Sequence, residues 1–382
     1  MPNKNSTYAF TSESVSEGHP DKVADQISDA VLDAYLAKDP EAKVACEVLI
    51  TTGQCIIAGE VTSNTHVDAV AIAKKVIQDI GYTHPDFGFD HASARYLNLL
   101  HEQSREINHS VSDGGAGDQG LMFGYACNET EELMPLPISL SHQLMQLQAD
   151  LRKKKILPWL LPDAKSQVTV LYDHQNKPVG VSKVVLSTQH QTGISQEEIR
   201  RHVIEQIIEP VIVPYIKDVT PEILVNPSGS FTIGGPHGDT GLTGRKIIVD
   251  TYGGSCPHGG GAFSGKDPSK VDRSAAYMAR YVAKHIVASG LAERATVQLA
   301  YAIGVAEPVS VYVYSNETGV MDDVEIANVV ERLFDLTPIG ISDTLQLKRA
   351  IYQPTAAYGH FGRKEFSWEV IDEDIIQKLK AI

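Results

Sequence analysis

The chain is short of cysteine, of long apolar runs and of positive charge. Four cysteines among 382 residues, with no Cys-x-x-Cys spacing, exclude a disulfide framework and a cysteine-bound metal, so we interpret them as reduced thiols. No segment approaches the roughly 20 apolar residues of a membrane span, and the first residues lack a signal-peptide core, so we expect a cytoplasmic protein without a membrane partner. Lys plus Arg total 33 and Asp plus Glu 48, and the resulting net charge of −15 argues against binding to nucleic acid.

A unit of helix, hairpin and helix occurs three times along the chain. In the first unit, apolar spacing predicts helices over 21–36 and 67–80 around strands over 44–50 and 55–61. The hairpins recur about every 120 to 130 residues, a domain-sized period, so we expect three similar α+β domains. The second unit comprises 138–151, 167–172, 180–187 and 196–208, and the third comprises 270–288, 296–302, 309–314 and 324–334.

The densest glycine-rich segment, 258–273, is a candidate phosphate-binding loop. It follows an apolar run, 247–250, that is typical of a strand, and it precedes a predicted helix, so its N–H groups and Lys266 could cradle phosphate. From Gly260 it reads G-x-x-x-x-G-K, but Asp267 stands where a P-loop needs Ser or Thr for Mg²⁺. That argues against an ordinary P-loop NTPase, and the alternative to any site here is a flexible, solvated turn.

Two pairs of cations lie in or near glycine-rich loops. Lys266 and Lys270 are four residues apart, and Asp272 beside them is a candidate Mg²⁺ ligand. A second glycine-rich run ends in Arg245 and Lys246, which can hold phosphate as a fork and as a point charge. In an acidic protein such local basicity favours an anion site, although a loop with two exposed cations explains either pair taken alone.

Two pairs of titratable residues stand out in the first predicted unit. His19 and Asp21 lie at a helix start, where the dipole and free N–H groups favour an anion. Asp21 could hold Mg²⁺ and His19 could donate to a leaving oxyanion, although either could simply cap the helix. Glu47 and Glu60 lie in apolar runs on the two arms of one predicted hairpin. Buried there, they would need a cation or a donor, and the alternative is an outward-facing strand position.

Five separated motifs carry a family resemblance over roughly 8–368. They are Gly18-His19-Pro20-Asp21-Lys22, Gly115 through Gly120, Asp163-Ala164-Lys165, Gly238-Asp239 through Lys246, and the 258–273 loop. In this order they resemble the S-adenosylmethionine synthetases (methionine adenosyltransferases). The resemblance implies three α+β domains with pseudo-threefold symmetry, and a homodimer or homotetramer with active sites between subunits. The implied divisions are an N-terminal domain over 8–105, an active-site lid over 106–116, a central domain over 117–231 and a C-terminal domain over 232–372.

The resemblance also implies a reaction. Methionine sulfur attacks C5′ of ATP, and the released tripolyphosphate is hydrolysed to pyrophosphate and phosphate. A thioether is already a nucleophile, so catalysis would come from in-line positioning and from neutralising the leaving group rather than from a base. The implied substrates are ATP and L-methionine, and the implied cofactors are two Mg²⁺ ions per site and K⁺.

The implied site residues are the positions of this chain that match the family's motifs. Catalytic roles would fall to His19, Lys165, Arg245, Lys266 and Lys270. ATP would contact His19, Asp163, Lys165, Ser230, Phe231, Asp239, Arg245, Lys246, Ala262 and Lys266. Methionine would contact Glu60, Gln103, Asp118, Asp239 and Lys270. Asp21 and Asp272 would coordinate Mg²⁺, and Glu47 would serve K⁺.

The chain departs from the family's pattern at two places, and both departures bear on reaction rates. Ser230 stands where an Arg usually precedes Phe231, so we expect altered nucleotide affinity or tripolyphosphate hydrolysis. The lid segment, 104–116, is several residues shorter than the family's, which predicts altered turnover or product release. Two alternative functions stay open. The first is a P-loop-like ATPase or kinase built on 260–266, and the second is an inactive nucleotide-binding homologue, suggested by Ser230.

Overall fold

The computed structural model describes residues 7–102, 114–216 and 219–382 of the chain. They form an α+β protein in which helix, hairpin and helix follow one another three times, so the predicted fold class is confirmed. All four cysteines are free and buried, as expected of reduced thiols that fill space. Within the described ranges, no helix has the length and apolar character needed to cross a membrane.

The first unit follows the predicted boundaries to within two residues. Gly81 ends its second helix with a φ of 112°, a left-handed conformation that favours glycine. The strand that follows runs parallel to the second arm of the hairpin. The elements are β1 (Tyr8–Val15), α1 (Pro20–Leu36), β2 (Lys43–Thr51), β3 (Gln54–Thr62), α2 (Ala69–Ile80) and β4 (Arg95–Glu102).

The second unit departs from prediction in its last helix. The helix expected over 196–208 is a regular α-helix only to Val203, and Ile204–Ile208 form a π-helical turn. Pro210, just beyond, has no N–H group for a regular helical bond, which accounts for the interruption. The elements are β5 (Gly120–Cys127), α3 (Leu136–Lys153), β6 (Leu160–Tyr172), β7 (Pro178–His190), α4 (Gln196–Val203), α5 (Glu209–Ile212) and β8 (Glu222–Val225).

The third unit corrects one prediction that mattered for function. The run 247–250 is not a strand but a short helix, closed by the N–H of Asp250 donating to the carbonyl of Lys246 at 2.9 Å. A short apolar run fits a strand or a buried helical turn equally well, so periodicity could not separate them. The segment 258–273 therefore does not follow a strand as a P-loop does. The elements are β9 (Gly241–Leu242), α6 (Ile247–Asp250), α7 (Val271–Ser289), β10 (Arg294–Tyr301), β11 (Ser310–Tyr314), α8 (Asp323–Leu333), α9 (Pro338–Thr344) and α10 (Glu373–Lys380).

Strands shared between sheets tie the three units together. The sheets have the strand orders β4-β3-β2-β9, β1-β6-β7-β8 and β11-β10-β5. Each contains a strand from another part of the chain, because β9 pairs with β2, β1 with β6 and β5 with β10. The exact division into domains remains a prediction.

Helix α1 lies at the centre of this arrangement. Fifteen of its 17 residues are buried. It packs on β2 and α2 within its own unit, and the third unit covers its remaining face. Four of its residues, spaced four apart on that face, are aspartates: Asp21, Asp25, Asp29 and Asp33.

Candidate active site

Two loops that carry cations lie next to each other along one edge of β2. The first cationic loop carries Arg245 and Lys246, and the second carries Lys266 and Lys270. The first loop follows β9, which pairs with Leu49 and Ile50 near the end of β2. The second loop meets the start of the strand, where the N–H of Cys46 donates to the carbonyl of Gly265 at 3.0 Å. Successive strand residues are about 3.3 Å apart, so the two attachment points are roughly 10 Å apart. The edge of β2 therefore places both loops side by side.

Asp21 is the centre of the first cluster. Its Oδ2 accepts a hydrogen bond from Lys246 Nζ at 2.6 Å and its Oδ1 accepts from the N–H of Leu242 at 3.0 Å. The guanidinium of Arg245 lies 4.0 Å from the same carboxylate. Burial alone would raise the pKa of Asp21, but Lys246 and Leu242 outweigh burial and hold the pKa below its usual value. Asp21 is therefore an ionised carboxylate beside two cations.

His19 caps α1 and is held in one tautomer. Its Nδ1 accepts a hydrogen bond from the N–H of Asp21 at 3.2 Å, so the proton of the neutral ring lies on Nε2. Burial, assisted by the charges of Lys246 and Lys165, lowers the pKa of His19 to about 3. At neutral pH this histidine is an uncharged hydrogen-bond donor at a helix N-terminus. That suits contact with an anion without a proton transfer.

Asp163 presents an unpaired polar atom next to an aromatic ring. Its side chain is buried, and its Oδ2 accepts from the N–H of Gly235 at 2.8 Å. Oδ1 has no hydrogen-bond partner among the described residues. Burial raises the pKa of Asp163 to about 6. A Cβ placed on Gly234 would lie 2.8 Å from the ring of Phe231 and 3.2 Å from Asp163 Oδ2, so the ring and the carboxylate are neighbours.

Three other residues that are predicted to contact ATP lie near Asp163 or next to Phe231. Lys165 lies two residues further along β6 and is exposed, and its charge lowers the pKa of Asp163, whereas that of Asp239 raises it. Asp239 is exposed and its Oδ1 accepts from the N–H of Thr240 at 2.9 Å. Ser230 is exposed directly before Phe231.

The second cluster contains two lysine–aspartate pairs. Lys266 Nζ lies 2.6 Å from Asp272 Oδ2, and both side chains are partly exposed. Lys270 donates to Asp267, whose buried Oδ2 also accepts from the N–H of Val44 at 2.7 Å. Asp267 therefore anchors its loop to β2, while the side chains of Lys266, Asp272 and Lys270 stay partly exposed to solvent.

Ala262 connects the two clusters. A Cβ placed on Gly244 would lie 2.5 Å from the Cβ of Ala262, so the glycine-rich segment packs directly on the first cationic loop. On the other side of that segment, a Cβ on Gly261 would lie 2.3 Å from Asp272 Oδ1. The segment thus spans the distance between the loop of Arg245 and the carboxylate of Asp272.

Glu47 and Glu60 face outward from the β2–β3 hairpin, and their predicted roles toward K⁺ and methionine stay predictions. Partial burial of the carboxylate and the like charge of Glu60 raise the pKa of Glu47, against the lowering effect of Lys266 and Lys270. Glu60 Oε1 lies 3.6 Å from His101 Nε2. The two acids therefore lie beside the second cationic loop rather than in the core.

The described residues that are predicted to bind methionine belong to different elements of the fold. Asp118 is exposed just before β5, in another sheet from Glu60, and its Oδ1 accepts from the N–H of Gln119 at 2.7 Å. Gln103 and most of the predicted lid, 106–113, lie outside the described residues.

Sequence reasoning missed the buried charges that support the loops. Asp25 and Lys22 are fully buried and paired at 2.8 Å, and Asp29 and Arg273 form a second buried pair. The sequence contained a signal, because acids recur every four residues along a helix that was otherwise predicted to be amphipathic. Such a row on a helix face calls for donors from another element.

The three units match three family models in the same order. Residues 7–105 match the N-terminal domain of S-adenosylmethionine synthetase, 113–231 its central domain and 233–370 its C-terminal domain. The S-adenosylmethionine synthases of Sulfurovum sp. (strain NBC37-1) and Helicobacter pylori (strain HPAG1) are each 57% identical to this chain, with 98% of both chains covered. That of Wolinella succinogenes is 58% identical with 96% of both covered. The chain belongs to the S-adenosylmethionine synthetase family, and the resemblance found in its motifs is confirmed.

Proposed function

We propose that this protein forms S-adenosylmethionine from L-methionine and ATP and then hydrolyses the tripolyphosphate to pyrophosphate and phosphate. The observation that carries the proposal is the placement of two cationic loops side by side on one edge of β2, with a neutral histidine donor next to the first loop. Arg245 and Lys246 supply cations at one end, and Lys266 and Lys270 supply them at the other. This distribution suits a long polyanion better than a single phosphate.

The arrangement suits a reaction that breaks the C5′–O bond. Sulfur attack needs no base, so the enzyme gains most by stabilising the charge that develops on the leaving triphosphate. His19 would donate from Nε2 to a leaving-group oxygen, and Lys246 and Arg245 would neutralise it. The free Oδ1 of Asp163 and the ring of Phe231 would hold the adenosine, which fixes C5′ in line with sulfur.

The carboxylates present fit the Mg²⁺ ions that the family implies. Among residues 7–102, 114–216 and 219–382, no three His, Cys, Asp or Glu side chains cluster into a protein-only metal site. Mg²⁺ commonly takes one or two carboxylates together with substrate phosphates, and Asp21 and Asp272 each offer a carboxylate among phosphate-facing cations. Bound Mg²⁺ supplies charge screening of the polyphosphate. Bound K⁺ near Glu47 would relieve its repulsion with Glu60.

A second copy of the chain would complete the methionine end of the site. Glu60 lies on β3 beside His101 of β4, so a subunit that covers the exposed face of β4 would also reach the methionine end of the site. Leu97 and Leu99 project from β4 on one face and are 48% and 50% exposed, an apolar surface that suits a symmetric interface. We therefore propose a homodimer or a dimer of dimers with active sites at the interface.

Isotope labelling tests the bond that is broken. ATP carrying ¹⁸O at the bridge between C5′ and the α-phosphorus is incubated with the protein, Mg²⁺, K⁺ and L-methionine. Sulfur attack on C5′ leaves the label in the inorganic products, and S-adenosylmethionine contains none of it. An ATPase or kinase leaves the label in ADP, which would contradict the proposal and favour the phosphoryl-transfer alternative.

A further inference from the structure

The aspartates of α1 each accept backbone N–H groups from the third unit. Residues four apart share one helix face, so the four carboxylates form a row that meets the covering loops in sequence. Asp21 accepts from Leu242, Asp25 from Gly244, Asp29 from Gly265, and Asp33 from Tyr352 and Gln353.

Asp25 is linked to the residue directly before two candidate phosphate ligands. Its Oδ1 accepts from the N–H of Gly244 at 2.8 Å, and Gly244 precedes Arg245 and Lys246. Its Oδ2 accepts from Lys22 Nζ at 2.8 Å, and both side chains are fully buried. The carboxylate is therefore held from two sides, and it holds the loop through the main chain.

Asp29 makes the same link to the second loop. Its Oδ1 accepts from the N–H of Gly265 at 2.8 Å, and Gly265 precedes Lys266. Gly265 has a φ of 82°, and a Cβ there would lie 1.9 Å from the carbonyl oxygen of Cys46. The loop thus passes between α1 and β2 with no room for a side chain, and Arg273 fixes the carboxylate that holds it.

We propose that Asp25 and Asp29 are positioning residues that fix the two cationic loops, and so the cations, for the leaving polyphosphate. This inference rests on the proposed function. Both carboxylates are buried behind the loops, so they act through the loop backbone and not by touching substrate. Fixed cations stabilise developing charge without reorganising, and a displacement of about 1 Å can cost roughly 100-fold in rate.

The test compares two variants that differ in a single acceptor. Asp25→Ala removes the oxygen that accepts from Gly244, whereas Asp25→Asn keeps that acceptor, loses the charge and turns its NH₂ group towards Lys22. Lys22 remains paired with Asp250 at 2.5 Å in both variants, so neither leaves a buried ammonium without a partner. We expect kcat for S-adenosylmethionine formation to fall at least about tenfold in Asp25→Ala and less than about threefold in Asp25→Asn. Calorimetric affinity for tripolyphosphate should follow the same order.

Asp33→Ala is the matched control on the same helix face. It frees the N–H groups of Tyr352 and Gln353, which lie outside both loops, so it should lower Tm while kcat and tripolyphosphate affinity stay within about twofold. Equal losses in Asp25→Ala and Asp25→Asn would overturn the proposal, as would an Asp25→Ala protein with a lower Tm and unchanged kcat and affinity. Should Asp25→Ala fail to fold, Asp25→Ser replaces it, because its hydroxyl stops one bond short of the carboxylate oxygens.

Product formation tests the proposed function, and tripolyphosphate binding by the variants tests this inference separately. A wild-type protein that makes no S-adenosylmethionine contradicts the function, and the tripolyphosphate titration of the Asp25 variants still tests the positioning role. A wild-type protein that also binds no tripolyphosphate contradicts both.

Discussion

Asp29 and Arg273 form a two-point ion pair with both side chains almost fully buried. Nη1 lies 2.7 Å from Oδ1 and Nη2 lies 2.9 Å from Oδ2. Nη1 also donates to the carbonyl of Lys266 at 3.2 Å. One guanidinium therefore joins α1, the second cationic loop and the first turn of α7, which carries Asp272.

Removing one member of this pair should be costly. Asp29→Ala leaves the Arg273 guanidinium buried without its partner, and we expect the free energy of unfolding to fall by about 3–5 kcal/mol in urea titrations. Adding Arg273→Met should recover part of that loss, with a coupling energy above about 1 kcal/mol. The control is Asp79→Ala, which breaks an exposed pair with Lys75 and should cost less than about 1 kcal/mol. Strictly additive losses in the double variant would contradict a buried pair.

His19 should contribute as a neutral donor. His19→Ala is expected to lower kcat by about 100- to 1000-fold, and His19→Asn by less, because its amide can still donate. Since burial and the charges of Lys246 and Lys165 lower the pKa of His19 to about 3, its titration should not appear in kcat between pH 6 and 8. A pH–rate limb near 6.5 that disappears in His19→Asn would show that the ring is protonated and acts as an acid.

His142 should make stability depend on pH. It is buried on α3 with Nδ1 2.8 Å from Ser14 Oγ, and burial, assisted by Arg363 and Lys22, lowers its pKa to about 3. The pKa in the unfolded chain is about 6.5, so only the unfolded state takes up the proton between these values, and stability present above pH 6.5 is lost as pH falls towards 3. Between pH 6 and 4 the wild type should lose up to about 1.4 kcal/mol per pH unit more than His142→Gln.

The control for this experiment is His174→Gln, in the exposed turn between β6 and β7. Its unfolding free energy is measured over the same pH range as that of the wild type and of His142→Gln. Parallel curves for wild type and His142→Gln would show that His142 is not held neutral.

Ser230 should limit contact with the polyphosphate. Ser230→Arg restores a cation beside Phe231 at an exposed position, so we expect KM for ATP or the affinity for tripolyphosphate to improve by several-fold without a change in Tm. Ser228→Arg adds the same charge at another exposed position two residues away and should have a smaller effect. Equal effects of both variants would mean that net charge, and not position 230, is responsible.

Leu97 and Leu99 should be covered by a second subunit. Leu99→Asp places a charge in the centre of the exposed face of β4, so we expect the variant to sediment as a monomer and to lose S-adenosylmethionine formation while its far-UV circular dichroism is kept. Val320→Asp, which is 71% exposed near α8, is the control and should change neither property. A wild-type monomer with full activity would contradict sites between subunits.

Local pattern predicted most of the fold because the relevant physics is local. The boundaries of α1 and the β2–β3 hairpin follow from apolar spacing and turn residues. Pairing between distant segments is not encoded that way, so the exchange of β1 into the second sheet was not predicted. The prediction of a strand over 247–250 was wrong because so short an apolar run fits a strand or a helical turn.

The candidate site also has a part that the sequence predicts and a part that only the fold reveals. Lys266, Lys270 and Arg245 were visible because cations and glycines cluster there in an otherwise acidic chain. The support for those loops was not, because Asp25 and Asp29 meet their donors 219 and 236 residues further along the chain. Only the folded arrangement shows which residues a buried carboxylate holds in place.

The most direct test of the account is product analysis of the purified protein with ATP, Mg²⁺ and K⁺, with and without L-methionine. Mass spectrometry follows S-adenosylmethionine, and coupled assays follow pyrophosphate and phosphate. We expect all three products to appear together and only when L-methionine is present. Phosphate release without L-methionine, or ATP binding with no product formed, would contradict it.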